Sequence, residues 1–577
     1  MNALTLVFVS LCVFALAYRF YGLFIAQKVL GLKHDRATPS VTMADGVDYV
    51  KTNKFVLFGH HFAAIAAAGP LLGPVLAAQF GYLPGALWII IGCVLAGAVH
   101  DMVVLFASVR HKGRSLGRIA ESEIGKVVGH VASVAVLFIL ILTLAGLSIA
   151  VVNAMAESTW GTFTVFATMP IALLMGVYLH VWRKGDVKGA SIIGVVLLFL
   201  AVVAGPYVVA SPTLAPLFHL TKKQIAVIIP IYGFVASVLP VWLLLCPRDY
   251  LSTYLKIGTI AMLAGGIVFV RPELLMPAVT QFAGGGGPVI PGPVFPFIFI
   301  TIACGAISGF HAIIGTGTTP KMIGDEKDVL FVGYGAMLME GFVAKLGISV
   351  ENLPALAEAV QENIQGRPGG AVSLAVGMAY VFSSIPFMSH LMSYWYHFAI
   401  MFEAVFILTA VDTGTRVGRF FLQEMIGVAI PKFMDKKWWP GIITTSALFT
   451  FSWGYLVYTG DITSIWPLFG MSNQLLAASG LIIATTMIIR MNKARYAAIT
   501  AVPGIIMAVI TMWAGYLNIT ANYLPKENYL LAGLGALVMV LMVIVFVGAI
   551  RRWTELLKIH TPIKDPYGEE VLALAEE

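Results

Sequence analysis

Apolar residues run along this chain in blocks of about twenty, parted by short polar connections, over almost its whole length. A helix of about 20 apolar residues is long enough to cross a bilayer core of about 30 Å. The blocks are continuous, without the polar/apolar alternation of a membrane β-barrel. Fifteen spans are expected: 3–26, 56–79, 84–109, 128–156, 162–182, 189–210, 225–246, 251–270, 294–318, 329–348, 391–412, 439–459, 465–489, 497–517 and 529–550. The pattern predicts an all-α polytopic membrane protein. Residues 370–386, inside the long connection 349–390, are apolar enough for a re-entrant or interfacial helix and are placed outside the membrane core.

Composition agrees: 59% of residues are hydrophobic and 11% charged, with mean hydropathy +0.89, against about 25% charged in soluble proteins. Residues 3–26 lack a basic n-region and a small-residue cleavage site, so they are expected to be a permanent helix. The net charge of +7 is explained by where the cations lie. One alternate set of connections holds 28 Lys and Arg, and the opposite set holds five. By the positive-inside rule the N-terminus is outside and the C-terminus cytoplasmic. The basic surplus is thus a topology signal, and no nucleic-acid partner is expected. Cys12, Cys93, Cys246 and Cys304 lie in apolar helices without metal-ligand spacing and read as small hydrophobes.

Two spans carry helix breakers at mid-depth. "GHHFAAIAAAGPLLGP" (Gly59–Pro74) has two Gly-Pro pairs. Proline removes a backbone donor and clashes with the carbonyl four residues back. Five spans later "PIYGFVASVLPVWLLLCPRDY" (Pro230–Tyr250) again places Gly, Ser and Pro in mid-span, entering from the other side. Unwound backbone survives in a membrane only where protein or a polar cavity covers it. Two interrupted helices of opposite direction, five spans apart, predict an inverted 5+5 repeat. A binding site is then expected between Gly69–Pro74 and Gly233–Pro240, with half-helix amino ends suited to an anion and bared carbonyls to a cation.

Polar residues within spans are costly and therefore informative. His60 and His61 precede the first break, and His100 and Asp101 sit in span 84–109. Ser308 and His311 are expected one helical turn apart on one face. Glu340, His397 and Glu403 lie within spans; Asn473 and Gln474 read as interhelical glue. Asp101 has a second reading, as a structural partner for Arg110. No His pair has i, i+4 spacing and there is no H-E-x-x-H, so a metal or haem centre is the weaker alternative. No G-x-S-x-G elbow stands on a strand, and no enzyme activity or cofactor is expected.

The segments "GHHFAAIAAAGPLLGPVLA", "GAVHDMVVLFASVRHKGRSLG", "YGFVASVLPVWLLLCPRDYLSTYLKIG", "ISGFHAIIGTGTTPKMI", "YWYHFAIMFEAVFILTAVDTGTR" and "WPLFGMSNQLLA" resemble the carbon-starvation protein A family of the amino acid–polyamine–organocation superfamily. The resemblance runs from about residue 2 to about residue 490. It implies bacterial inner-membrane uptake of peptides or of pyruvate, the latter with proton symport. It also implies a LeuT-like 5+5 core. Here residues 1–55 would form an N-terminal helix with a basic cytoplasmic loop, 56–412 the core, and 413–577 four further helices and a tail. A small carboxylate-bearing solute is expected to bind near His60, His61, Gly69, Pro70, Gly73, Gly233 and Ser237. The coupling ion, a proton or sodium, is expected at Asp101, Ser308, His311 and Glu403. Histidine titrates near physiological pH, which favours the proton. The alternatives are a sodium-coupled peptide symporter and, in another class, a channel or sensor.

Overall fold

The computed structural model describes residues 2–558 except 35, 46–48, 67–68, 184–185, 240–243, 275, 345–369 and 436–437. Its principal helices are α1 (Ala3–Leu30), α2 (Lys54–Ile65), α3 (Gly69–Phe80), α4 (Tyr82–Arg110), α5 (Lys126–Met155), α6 (Thr159–Val177), α7 (Val187–Ala210), α8 (Lys222–Val238) and α9 (Leu245–Val270). The second half of the chain supplies α10 (Val294–Thr301), α11 (Gly309–Gly317), α12 (Leu330–Ala344), α13 (Gly370–Ser383), α14 (Met392–Ala429), α15 (Trp439–Thr459), α16 (Ile462–Arg490), α17 (Ala498–Asn518) and α18 (Tyr529–Lys558). Among the described residues nine helices are long and apolar enough to cross a membrane, or ten if α2 and α3 count as one bent span. The chain is a multi-pass membrane protein. The other expected spans are helices that are broken, shorter or less apolar. α13 has 14 residues, too few for a straight crossing, and packs against α14.

Helix starts follow capping chemistry. Asn53 accepts from the Phe55 amide at the head of α2, and Ser158 and Asp186 cap α6 and α7. Thr221 and Gln224 form a reciprocal capping box on α8. Such side chains satisfy amide donors that have no partner inside the helix.

Contacts divide the chain into two units. One comprises Met1–Thr5, Leu140–Ala278 and Leu346–Trp466; the other Leu6–Ile139, Val279–Lys345 and Pro467–Glu577. They interleave along the sequence, and each draws on all three segments set out above.

In the first unit α8 lies against α15. A Cβ on Gly454 would sit 2.8 Å from the Pro230 ring, and one on Gly233 3.0 Å from Trp453. Trp160 donates to the Val202 carbonyl at 3.0 Å and stacks on His397 with centroids 3.8 Å apart. His397 is thereby a packed core residue.

In the second unit α2 ends at Ile65, α3 begins at Gly69, and the two are bent by 44°. The break precedes the first Gly-Pro pair, and Pro70, Gly73 and Pro74 are helical. Pro70 sits in the first helical turn, where its missing N–H costs no bond, and Pro74 lies one turn further in. The pair thus starts a helix where unwinding through Gly69–Pro74 was expected. A second interruption, unforeseen in the sequence, separates α10 from α11 at Ile302–Ser308. The two breaks touch. A Cβ on Gly69 would lie 2.4 Å from Cys304 Sγ, and one on Gly73 2.9 Å from the Thr301 carbonyl oxygen.

Candidate functional site

The unwound stretch 302–308 is held by bare backbone on its neighbours. A Cβ on Gly97 of α4 would lie 2.2 Å from the Ala306 carbonyl oxygen; one on Gly470 of α16 would lie 1.8 Å from that of Ile300. Several polar groups freed by the break have partners. Trp88 Nε1 donates to the Ile302 carbonyl at 3.0 Å, and Gln474 Nε2 to that of Phe299 at 2.8 Å. Asn473 Oδ1 accepts the Phe310 amide at 2.8 Å, while its Nδ2 donates to Ser308 Oγ at 3.1 Å. Asn473 thus caps α11 from another helix. This is the glue read from the sequence, now with a specific task. Asn473→Ala is expected to strand a buried amide and lower stability by about 2 kcal/mol, measurable by thermal unfolding of the purified protein.

Ser308 has extended dihedrals (φ −136°, ψ 128°) and ends the break. It is therefore not on a common helix face with His311, because the expected spacing holds only for a continuous helix. Ser308 belongs with Asn473, and His311 belongs to a charged cluster alongside.

That cluster joins three helices. α4 supplies His100 and Asp101, α11 supplies His311, and α12 supplies Glu340. His311 Nδ1 lies 2.7 Å from Asp101 Oδ2, and its Nε2 lies 3.0 Å from Glu340 Oε2. The other Asp101 oxygen is 2.8 Å from His100 Nδ1. All four side chains are buried. Two glycines bring the helices this close. A Cβ on Gly333 would stand 2.9 Å from Met102 Cα and 3.2 Å from the Asp101 carbonyl oxygen, and one on Gly480 of α16 2.7 Å from His100 Nε2. Glu340 was named from the sequence but not placed among the ion residues; only the tertiary contact gives it that position.

Arg110 does not pair with Asp101. Its Nε lies 2.6 Å from Glu326 Oε1, in the connection between α11 and α12. Glu326 also accepts from the Lys33 amide at 2.9 Å and from Arg36 at 3.0 Å. Burial pushes the Glu326 carboxyl above its ordinary range, opposed by those two donors.

His60 and His61 diverge. His60 is exposed. His61 is buried, its Nδ1 lies 2.7 Å from Thr319 Oγ1, and its Nε2 has no hydrogen-bond partner among the described residues.

The remaining expected residues fall in the other unit. Gly233 and Ser237 lie inside the continuous α8, where Ser237 Oγ is 3.1 Å from Ser446 Oγ of α15. Both lie on a helix that runs unbroken to Val238, and the expected unwinding through Gly233 and Ser237 is absent. Residues 240–243 lie outside the described set. Glu403 of α14 is buried, and neither carboxylate oxygen has a hydrogen-bond partner among the described residues.

Sequence reasoning missed a charged group in this unit. Arg248 at the head of α9 and Asp412 of α14 are buried and 2.7 Å apart, and Tyr232 bonds both. Arg416, one turn beyond Asp412, donates to the carbonyls of Ala236 (2.9 Å) and Leu239 (2.5 Å) and so caps the end of α8. Both arginines had been counted as loop cations. Among the described residues no group of three His, Cys, Asp or Glu has a geometry able to hold a metal ion.

The profile of the carbon starvation protein CstA family matches residues 2–348 and 345–514. This chain belongs to the CstA family. It is 48% identical to the peptide transporter CstA of Bacillus subtilis, over 97% of this chain and 98% of that one. It is 45% identical to the pyruvate/proton symporter BtsT of Escherichia coli, over 92% and 83%, and 46% identical to that organism's peptide transporter CstA, over 89% and 81%. Among solved structures, a manganese transporter of Eremococcus coleocola aligns over 89% of this chain and 99% of its own at 12% identity, with a TM-score of 0.47. That likeness is too loose to carry the arrangement of helices. The CstA-family segments singled out in the sequence include every member of the buried histidine–carboxylate cluster except Glu340.

Proposed function

We propose that this chain is a secondary transporter that takes up a small carboxylate nutrient, pyruvate or a short peptide, with protons across a bacterial inner membrane. Relatives named as peptide transporters and as a pyruvate/proton symporter support the substrate class and the coupling ion. The observation that carries the reading is the buried line Asp101–His311–Glu340 beside two broken helices.

Its proton count makes it a coupling site. With both carboxylates ionised, His311 doubly protonated and His100 neutral, the four groups carry one net negative charge, and one further proton neutralises them. Buried charge is costly in a membrane, so a cluster that is neutral only when loaded links proton occupancy to the conformations that bury it. The solute's carboxylate is assigned to the amino end of α3 beside Gly69, Pro70 and Gly73, where the first-turn amides of Gly69, Leu71 and Leu72 and the helix dipole favour an anion. His61, whose Nδ1 lies against Thr319 and whose Nε2 has no hydrogen-bond partner among the described residues, is assigned to the same carboxylate. Glu403 is assigned as a second proton-carrying carboxylate. The reading retains a 5+5 inverted-repeat core, an outside N-terminus and a cytoplasmic C-terminus. It adds α10–α11 as a second broken helix, meeting α3 at the breaks.

Proteoliposomes test this. A pH gradient, acid outside, should drive accumulation of pyruvate or of a dipeptide, and a sodium gradient alone should not. Accumulation under sodium alone would support a sodium-coupled peptide symporter instead. Equilibration without any gradient, and no accumulation with one, would mark a channel.

A further inference from the structure

An apolar groove of about 420 Å³ lies on the second unit between α1, α4 and α17. Tyr21, Trp88, Leu95, Val502, Ile506 and Met507 line it. Local backbone geometry opens it. Both α1 at Ala17–Gly22 and α4 at Cys93–Gly97 widen into a π-helical turn beside the groove, and α17 carries Pro503. Such wide turns and helix prolines displace backbone and recur at functional positions. Leu95, Val502 and Ile506 are each about half exposed, so the groove opens sideways from the helices.

One end of the groove is basic. Beyond Tyr21 along α1, Phe24 meets Tyr496 edge-on with centroids 5.9 Å apart. The Lys493 ammonium there crowds Gly31, where a Cβ would lie 2.9 Å from it. Lys28 and Arg495 are exposed at the same end, before α17 begins. An apolar slot with three cations beyond one end complements a ligand with an acyl chain and an anionic head. Basic pockets between membrane helices recognise anionic headgroups in this way.

We propose that this groove is a binding site for one anionic diacyl phospholipid, its acyl chain along Val502 and Ile506 and its phosphate at Lys28, Lys493 and Arg495. The site is independent of the transport reading, since none of these residues belongs to the proton or substrate assignments. It does adjoin that machinery, because Ala96 in the groove is five residues before Asp101 on α4.

Native mass spectrometry of the intact purified protein with added phosphatidylglycerol or phosphatidylethanolamine tests the proposal. One phosphatidylglycerol should stay bound at collision energies that strip phosphatidylethanolamine. Val502→Trp, at a half-exposed position, should cut that occupancy about tenfold, equivalent to about 1.4 kcal/mol. The double variant Lys28→Gln/Arg495→Gln should erase the preference for the anionic lipid. Equal retention of both lipids by the unaltered protein would overturn the proposal, and so would an unchanged phosphatidylglycerol adduct in Val502→Trp. Should Val502→Trp not melt like the parent, Ile506→Trp provides the same reading.

Discussion

Asp101→Asn is expected to leave a folded, membrane-inserted protein whose uptake under a pH gradient falls by about 100-fold or more. The substitution keeps the shape of the side chain and removes its charge. It weakens two contacts at once, to His311 at 2.7 Å and to His100 at 2.8 Å. Hydrogen bonds to a charged group contribute about 1.5–3 kcal/mol each, so losing two accounts for at least two decades. Asp101→Glu, which keeps the charge but shifts it by a methylene, should recover part of the activity. Substrate exchange without a gradient should survive better than accumulation, because the substrate site proposed at α3 does not include Asp101. If Asp101→Asn accumulates substrate like the unaltered protein, the cluster is a structural feature only.

Among the described glycines, Gly470→Ala should produce the largest loss of stability, about 3 kcal/mol or more. The added Cβ would lie 1.8 Å from the Ile300 carbonyl oxygen, against backbone that cannot rotate away. Relief requires α16 to move from the broken α10–α11 pair, which disturbs the Asn473 cap three residues on. The control is Gly533→Ala in α18. Beyond its chain neighbours and its own helical backbone nothing lies within 4 Å of an added Cβ, and the change from Gly to Ala in a helix should be neutral or mildly stabilising. Thermal unfolding of the two purified variants separates these outcomes. A Gly470→Ala protein that melts with the parent would mean that the close crossing at the break does not exist.

These two residues show where reading the sequence succeeds and where it stops. The α2–α3 break was legible because proline acts through its own ring, and Gly-Pro announces it locally. Its position was misjudged by one turn, since Pro70 initiates a helix more readily than it interrupts one. The α10–α11 break has no proline within it. It is imposed by glycines at 73, 97 and 470, which are far apart in sequence and meet only after folding. The same blindness explains Ser308, whose relation to His311 was inferred from a helical repeat that the break removes.

Buried charge followed a similar rule. Asp101 and His311 stood out because each lies in an apolar run, where a titratable group has to be accounted for. Glu340 stood out too, yet nothing near it in sequence names His311 as its partner. Arg248, Asp412 and Arg416 were passed over because they border polar connections, where cations are ordinary. Only the structure shows that Arg248 is fully buried and that Arg416 ends α8.

The central claim is that protons move with the substrate through Asp101, His311 and Glu340. The most direct measurement is the pH outside lightly buffered proteoliposomes on addition of pyruvate or a dipeptide, without an imposed gradient. The account predicts alkalinisation in step with substrate entry, absent in both Asp101→Asn and His311→Ala. Substrate entry with no change in external pH, or alkalinisation undiminished in both variants, would contradict it.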